Sequence, residues 1–385
     1  MRLLLSCGEP SGDLYAGALV RELRALEPGI TVHGMGGPHL REAGGEILED
    51  YRGLAVTGLT EALAKLPRSF AVMKRLVADA RAVRPDAVVL VDFPDFNLPL
   101  ARRLKALGIP IVYYISPQLW AWRAGRMKAM REFSDRVLVI FPFEEAIYRA
   151  AGVPVEFVGH PLIDLIRTGA PRAVFLRERG LDPAASTVAI LPGSRPNEVE
   201  RMLPDLVASA ALIAARVPGV QFVVARAPDL DDHLFTVATS SPLAHGSQPC
   251  RMVVGEGESD TVLAAADLAL TASGTATVQT ALHDTPMVVV YRTAPLTYAV
   301  VSRLVTVKFA AMVNLIAGEA IVPELIQHAF TPARVADEAV AILTDPARAA
   351  RIREGLARVR TSLGGPGASR RAAEAILQVA GARTP

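Results

Sequence analysis

Short apolar runs alternate with stretches of helical period along most of this chain. The runs at Arg2–Cys7, Thr31–Gly34, Val88–Val91, Pro110–Ile115, Arg136–Ile140 and Val155–Val158 are apolar at successive positions, as in strands buried on both faces. Between most of them apolar residues recur every three or four positions, the mark of a helix with one buried face. That alternation predicts a doubly wound parallel sheet over residues 1–165. The pattern loosens through Arg167, Thr168, Gly169, Ala170 and Pro171, a linker by composition. A second alternation follows, with strands expected near Thr187–Leu191, Val220–Ala225, Arg251–Val254, Asp267–Thr271 and Met287–Val290. It predicts a second α/β domain over residues 171–345, with a cleft where the two domains face each other. The rest is helical in pattern (Pro332–Leu343, Ala347–Leu363, Ala368–Val379), and residues 346–385 are expected to pack at least partly back on the first domain.

Composition changes this picture little. A chain of 385 residues suits two domains of this kind. Its formal charge of +2 creates no global field, so no nucleic-acid partner is expected. Cys7 and Cys250 are too far apart in sequence for a metal motif and make no disulfide framework, which fits a reducing compartment. The first apolar run breaks into Gly8-Glu9 too early for a signal-peptide core, so the expected location is the cytoplasm. No uncharged run reaches the roughly 18 residues of a membrane span. Hydrophobic residues still make up 51% and mean hydropathy is +0.30, which calls for extensive sheet burial or an apolar surface.

The candidate chemistry lies where predicted strands end. Val88–Val91 runs into two carboxylates, Asp92 and Asp95, bracketed by Phe93, Pro94 and Phe96. Ligands bind at the carboxyl ends of strands in open α/β sheets. A carboxylate desolvated by Phe93 and Phe96 would have a raised pKa, and Asp95 is the candidate general base. The plain alternative is that Asp95 caps a helix starting near Phe96 and Asp92 closes a turn. Gly8-Glu9-Pro10-Ser11-Gly12-Asp13 follows the first strand and is expected to open a helix at about Leu14. It is neither a Walker loop nor a dinucleotide fingerprint, and its acids favour sugar hydroxyls over phosphate; a tight turn is the alternative. Two further loops suit a diphosphate. Pro192-Gly193-Ser194-Arg195 gathers backbone N–H groups, a hydroxyl and a guanidinium ahead of a helix beginning near Asn197, and Ser273-Gly274-Thr275-Ala276-Thr277 adds hydroxyls at another helix start. Ordinary capping would use the same residues.

Other motifs divide between ligand and structural roles. Asp229-Leu230-Asp231-Asp232 looks like a metal-binding Asp-x-Asp but reads better as a solvated helix start, and the seven histidines form no zinc motif, so no metal or cofactor is expected. His160, before Pro161, suits a ligand contact or a turn cap. Leu63, Leu66, Phe70, Met73 and Val77 make an apolar helix face beside Lys65, Arg68, Lys74 and Arg75, which suits an anionic bilayer or a packed core. Trp120 and Trp122 stand with Arg123 in a motif fitted to a headgroup interface or to burial.

Read together, Gly8-Glu9-x-Ser11-Gly12-Asp13, Asp92-x-Pro94-Asp95-Phe96-Asn97, Ser116-Pro117-Gln118-x-Trp120-Ala121-Trp122-Arg123, Pro142-Phe143-Glu144, Val158-Gly159-His160-Pro161, Leu191-Pro192-Gly193-Ser194-Arg195-x-x-Glu198, Ser273-Gly274-Thr275-Ala276-Thr277 and Pro323-Glu324-Leu325-x-Gln327 resemble, in order, the motifs of the lipid-A-disaccharide synthase family. The resemblance covers about residues 3–330. It implies a GT-B fold of two facing Rossmann-like domains and a metal-independent, inverting glycosyltransferase. It further implies the joining of UDP-2,3-diacylglucosamine to 2,3-diacylglucosamine 1-phosphate (lipid X) by a β-1,6 bond, with release of UDP, by a cytoplasmic enzyme peripheral on the inner membrane. A homodimer is the assembly it implies, in some members with exchanged C-terminal parts. By resemblance the catalytic residue is Asp95. The UDP-sugar would be held by Gly193, Ser194, Arg195, Ser273, Gly274, Thr275, Gln279, Asn314, Glu324 and Gln327. Glu9, Ser11, Gly12, Asp92, Trp120, Arg123 and His160 would line the acceptor side.

This chain departs from the family pattern at two points. Gln279 stands where the family usually has a glutamate for the ribose hydroxyls, and loss of that charge-assisted bond would lower donor affinity by about 1 kcal/mol. Ala311-Met312-Val313-Asn314-Leu315-Ile316 lacks the usual preceding proline. The rival readings are a UDP-sugar 2-epimerase or GT-B transferase with a soluble substrate, and a sugar-binding protein without chemistry.

Overall fold

The computed structural model describes residues 1–52, 54, 59–117, 127–167, 169–228, 230–240, 243–244, 249–295, 298–299 and 307–382. Among these the chain divides into two units, one built from residues 1–165 and 362–382, the other from 166–299 and 307–361.

The first unit alternates strand and helix: β1 (Arg2–Cys7), α1 (Pro10–Leu26), β2 (Thr31–Gly36), α2 (Pro38–Glu42), β3 (Glu46–Asp50), α3 (Leu59–Val83), β4 (Ala87–Val91), α4 (Pro94–Lys105), β5 (Ile111–Tyr114), α5 (Met127–Phe133), β6 (Arg136–Val139), α6 (Pro142–Ala150), β7 (Val155–Phe157) and α7 (Leu162–Leu165). All its strand pairs are parallel, in the order β3-β2-β1-β4-β5-β6-β7. Every residue of β4 and β5 is buried, because helices cover both faces of the sheet. Each Val or Leu side chain so buried contributes about 1.5–3 kcal/mol. At the edge, β3 is only half-buried and carries Glu46, Glu49 and Asp50, charges that discourage pairing with another chain.

The second unit repeats the scheme with α8 (Arg172–Glu178), β8 (Thr187–Leu191), α9 (Pro196–Ala214), β9 (Gln221–Arg226), α10 (Thr236–Ser240), the short antiparallel pair β10 (Leu243–Ala244) and β11 (Pro249–Cys250), β12 (Met252–Glu256), α11 (Ser259–Ala265), β13 (Leu268–Ala272), α12 (Thr275–Leu282), β14 (Met287–Tyr291), α13 (Met312–Ala317), β15 (Glu324–Ile326), α14 (Pro332–Thr344) and α15 (Pro346–Ser362). Its main sheet is parallel, ordered β12-β9-β8-β13-β14-β15. From β2 to β6 and from β9 to β15 the two sheets share one topology, reversing direction between β1 and β4 in the first unit and between β8 and β13 in the second. At such a reversal neighbouring loops diverge and leave a crevice for a ligand.

The last helix, α16 (Ala368–Gly381), returns to the first unit, packing on α1, α7, β4 and β5. Its inner face is mostly small residues, Ala368, Ala372, Ala373 and Ala375, with Ile376 buried among them. Asp164 fixes the approach by accepting from the backbone N–H groups of Gly367 at 2.6 Å and Ser369 at 3.3 Å. Among the described residues, no helix is long and apolar enough to cross a membrane.

Candidate active site

In the first unit the loops after β1 and β4 are locked together. α1 begins at Pro10, four residues before the expected Leu14, so Ser11 and Gly12 lie in its first turn and half-buried Glu9 is the N-cap residue. Asp13 is not offered to a sugar. Its buried carboxylate accepts from the N–H groups of Gly37 (2.7 Å), His39 (2.9 Å) and Leu40 (3.2 Å), and so caps α2. After β4, Asp92 and Phe93 both adopt left-handed backbone, with φ of 44° and 49°. For residues with a Cβ that costs about 1–3 kcal/mol each, and it persists only where the surroundings enforce it.

Asn97 is the enforcing side chain. Fully buried, it donates through Nδ2 to the carbonyl of Asp92 at 2.8 Å, and its Oδ1 accepts from Ser6 Oγ at 2.7 Å, tying the end of β4 to the end of β1. Tyr113 donates its hydroxyl to the same Asp92 carbonyl at 2.7 Å. The Phe93 ring stacks on Phe96 at 5.7 Å and rests on Gly8, where a Cβ would meet the ring at 2.0 Å. Only glycine lets that ring close over the β1 loop.

Asp95 thereby sits in the first turn of α4 as an exposed carboxylate. The expected desolvation by Phe93 and Phe96 does not occur, because Phe96 turns into the core while Asp95, one position earlier on the helix, faces outward. Nor does Asp95 cap the helix, since Phe93 occupies the N-cap position. His160 is a packing residue. Burial lowers its pKa to about 3, so the ring is neutral; Nδ1 accepts from the Leu162 N–H at 3.2 Å, and the rings of Tyr15 and Phe141 lie 6.0 and 5.4 Å away. Trp120 and Arg123 lie outside the described residues.

In the second unit the loops at the reversal are those after β8 and β13. Gly193 has a φ of 124° and turns the chain into α9, for which Arg195 is the N-cap residue. The Glu198 carboxylate folds back under the loop, accepting from the Ser194 N–H and from Arg195, both at 3.2 Å. The donors expected to face an anion thus converge on one from their own chain, and Glu198 was not among the expected site residues. Across the reversal, Gly274 (φ 139°) opens α12, and the space where its Cβ would stand is empty for 4 Å. Thr275 is exposed, while Ser273 donates to the carbonyl of Ala310 at 2.8 Å.

The remaining expected nucleotide contacts build the walls of this site. Asn314 is fully buried and bridges α13 to the chain before β15: Oδ1 accepts from the N–H groups of Ile321 (2.9 Å) and Val322 (3.1 Å), and Nδ2 donates to Glu324 at 2.7 Å. Glu324 also accepts from the N–H groups of Ala310 (2.9 Å) and Ala311 (3.0 Å), holding the chain that leads into α13. Gln327, left-handed at φ 53°, clamps the Thr293 backbone through both amide atoms, at 3.1 and 3.2 Å. Gln279 donates to Ser259 at 3.0 Å and Asp260 at 2.8 Å, and Asp260 also meets His283 at 2.8 Å. Burial pushes the Asp260 carboxyl up, but the hydrogen bonds from His283, Gln279 and the Arg167 backbone outweigh it and leave the pKa lowered.

The apolar stripe on α3 is divided. Met73 is buried in the core and Val77 packs against it, whereas Leu66 and Phe70 are 43% and 57% exposed beside exposed Arg68, Lys74 and Arg75. Asp229 and the side chain of Leu63 lie outside the described residues. Asp231 accepts from the His233 N–H at 3.1 Å, a local cap.

Two doubly wound units, each with its candidate ligand loops at the point of topological reversal, define a protein of the GT-B fold class. Solved structures share the fold over the full length: a UDP-GlcNAc 2-epimerase from Neisseria meningitidis bound to UDP-GlcNAc (TM-score 0.67, 13% identity, 98% of this chain and 100% of that one) and the glycosyltransferase of kitacinnamycin (TM-score 0.64, 19% identity, 98% of each). Within that class the chain belongs to the lipid-A-disaccharide synthase family, whose model, described as lipid-A-disaccharide synthetase, matches residues 3–379. It is 44% identical over 375 residues to the lipid-A-disaccharide synthase of Syntrophus aciditrophicus (97% of each chain) and 43% identical over 378 residues to that of Myxococcus xanthus (98% of this chain, 97% of that one). It is therefore a glycosyltransferase of lipid A biosynthesis.

Proposed function

We propose that this enzyme transfers the diacylglucosaminyl group of UDP-2,3-diacylglucosamine to the 6-hydroxyl of 2,3-diacylglucosamine 1-phosphate, forming a β-1,6 bond and releasing UDP. The carrying observation is that the motif loops of a chain 44% identical to a lipid-A-disaccharide synthase fall at the reversal points of both sheets. In this reading Asp95 removes the proton from the acceptor hydroxyl as its oxygen attacks the anomeric carbon, and the bond to the UDP oxygen breaks on the opposite face. One displacement inverts the configuration. Charge growing on the diphosphate is met by Arg195, the Ser194 N–H and the start of α12, donors that matter most in the transition state. Glu198 holds Arg195 and the loop in position and gives way to the diphosphate when it arrives. Desolvation of exposed Asp95 would come with the bound substrates.

Both substrates carry acyl chains, and the exposed Leu66 and Phe70 among basic residues support work at an anionic membrane surface. The family resemblance adds a homodimer to the proposal, which light scattering reads directly. The central test measures UDP release in detergent with EDTA, with and without acceptor, for wild type and Asp95→Ala. Acceptor-dependent release that falls by about 10²–10⁴-fold in the variant is expected for a lost general base. Acceptor-independent release would assign an epimerase or hydrolase instead, and full activity in the variant would remove Asp95 from the chemistry.

A further inference from the structure

Beside the diphosphate loops, the second unit holds a cavity of about 680 Å³ that none of the proposed roles uses. It opens at the carboxyl ends of β14 and β15. Its walls are apolar for the most part, formed by Ala294, Pro295, Tyr298, Ala299 and Phe330, with the guanidinium groups of Arg201 and Arg292 at its margin. The Arg292 guanidinium is already committed: it pairs with Asp205, donates to the Phe330 carbonyl and lies 4.6 Å over the Phe330 ring. Arg201 has no hydrogen-bond or ion-pair partner among the described residues and is exposed.

Two observations join this cavity to the nucleotide loops. Gln327, which lines it just after β15, clamps Thr293 just beyond β14, and Glu324 at the start of β15 holds the backbone at Ala310 to which Ser273 donates. On the other side, Glu198, Arg201 and Asp205 succeed one another at helical spacing along α9, so the cavity wall and the Arg195 loop belong to one helix. Tyr291, the last residue of β14, lies within electrostatic reach of Glu198, Arg195 and Arg201 together. A ligand whose diphosphate rests on Arg195 therefore has a mostly apolar chamber alongside its sugar.

We infer that this cavity receives a fatty acyl chain of the nucleotide-sugar donor, with Arg201 at its rim meeting the carbonyl that links the chain to the sugar. The inference rests on the proposed function for the identity of the donor and adds a subsite to it. A bare nucleotide or an unacylated sugar leaves such walls wet. The volume lies within the roughly 300–1,000 Å³ of small-molecule sites, room enough for one extended or folded acyl chain. Each methylene that enters strengthens binding by about fourfold, so the donor's KM falls with chain length until the chamber is full.

Two variants test this from opposite directions: Ala294→Trp fills the chamber and Tyr298→Ala enlarges it. Steady-state kinetics are run with donors of graded acyl length, and UDP alone is titrated by calorimetry as a check on the loops and the fold. Ala294→Trp is expected to bind UDP as wild type does while raising KM for long-chain donor by about tenfold or more and flattening the dependence on chain length. Tyr298→Ala is expected to move the preference toward longer chains. If wild type shows no acceptor-dependent UDP release, the functional reading fails. If wild type turns over but neither variant changes the chain-length dependence, the cavity assignment alone fails. Should Ala294→Trp lose UDP binding through misfolding, the chain-length profile of Tyr298→Ala decides the question.

Discussion

Replacing Asn97 by alanine should separate the stability of the first unit from its chemistry. The substitution deletes the acceptor for Ser6 Oγ and the 2.8 Å donor to the Asp92 carbonyl, while Tyr113 still serves that carbonyl at 2.7 Å. Each of the two lost buried bonds costs about 0.5–1.5 kcal/mol and the orphaned Ser6 hydroxyl about 1–3 more, so a loss of about 2–6 kcal/mol is expected in urea unfolding. The larger effect falls on the turn. Asp92 and Phe93 hold left-handed backbone worth about 1–3 kcal/mol each in strain, and with one of its two clamps gone the turn relaxes. Asp95 rides on that turn, and a misplacement of about 1 Å can cost about 10²-fold in rate. Adding Ser6→Ala to Asn97→Ala removes the orphaned hydroxyl and should recover about 1 kcal/mol of stability without recovering kcat for acceptor-dependent UDP release. A destabilised Asn97→Ala enzyme whose kcat stays within about twofold of wild type would refute the reasoning, as would a Ser6→Ala addition that restores both quantities.

Gly8→Ala brings a Cβ within 2.0 Å of the Phe93 ring and should cost about 1–3 kcal/mol, relieved when Phe93→Ala is added; a single variant melting like wild type would show that the ring is free to swing aside. His160 titrates near 6.5 when unfolded and is held at about 3 by burial, so between those values the unfolded chain binds the extra proton and stability falls as pH falls. Its share of the acid limb approaches 1.4 kcal/mol per pH unit, and His160→Asn should flatten urea-derived stability by about that slope between about pH 6 and 4; an unchanged slope would place the acid sensitivity elsewhere. Replacing both Leu66 and Phe70 by serine should weaken sedimentation with anionic vesicles by about tenfold or more while changing stability by less than about 0.5 kcal/mol, because both side chains are exposed; wild-type binding would take α3 off the membrane.

The sheets were legible in the sequence because parallel strands buried on both faces leave continuous apolar runs, as β4 and β8 do. Edge strands β3 and β15 were not, since one is studded with carboxylates and the other is only Glu324–Ile326. Motif loops could be located but not what their side chains do. Asp13, Asn314, Glu324 and Gln327 are all polar residues near a site, and spacing along the chain gives no sign that their partners are backbone groups 24, 8, 14 and 34 positions away. Asn97 belongs to the Asp92–Asn97 motif, yet its structural role does not show in the sequence because its partner Ser6 is 91 positions distant. The desolvation expected at Asp95 failed for a related reason: adjacency to two phenylalanines in sequence says nothing of which way a helix turns them.

The return of α16 to the first unit has a consequence for how the protein is made. A ribosome delivers residues 1–165 first, but the helix that covers α1 and secures the end of β7 arrives only after residues 166–361 have been synthesised. At about 5–20 residues per second that interval lasts about 10–40 s, during which the flank of α1 stays bare. The described residues of the second unit, 166–299 and 307–361, are all made before α16. The half that emerges first is thus the last to be completed, and the nascent chain depends on whatever shields that flank in the meantime.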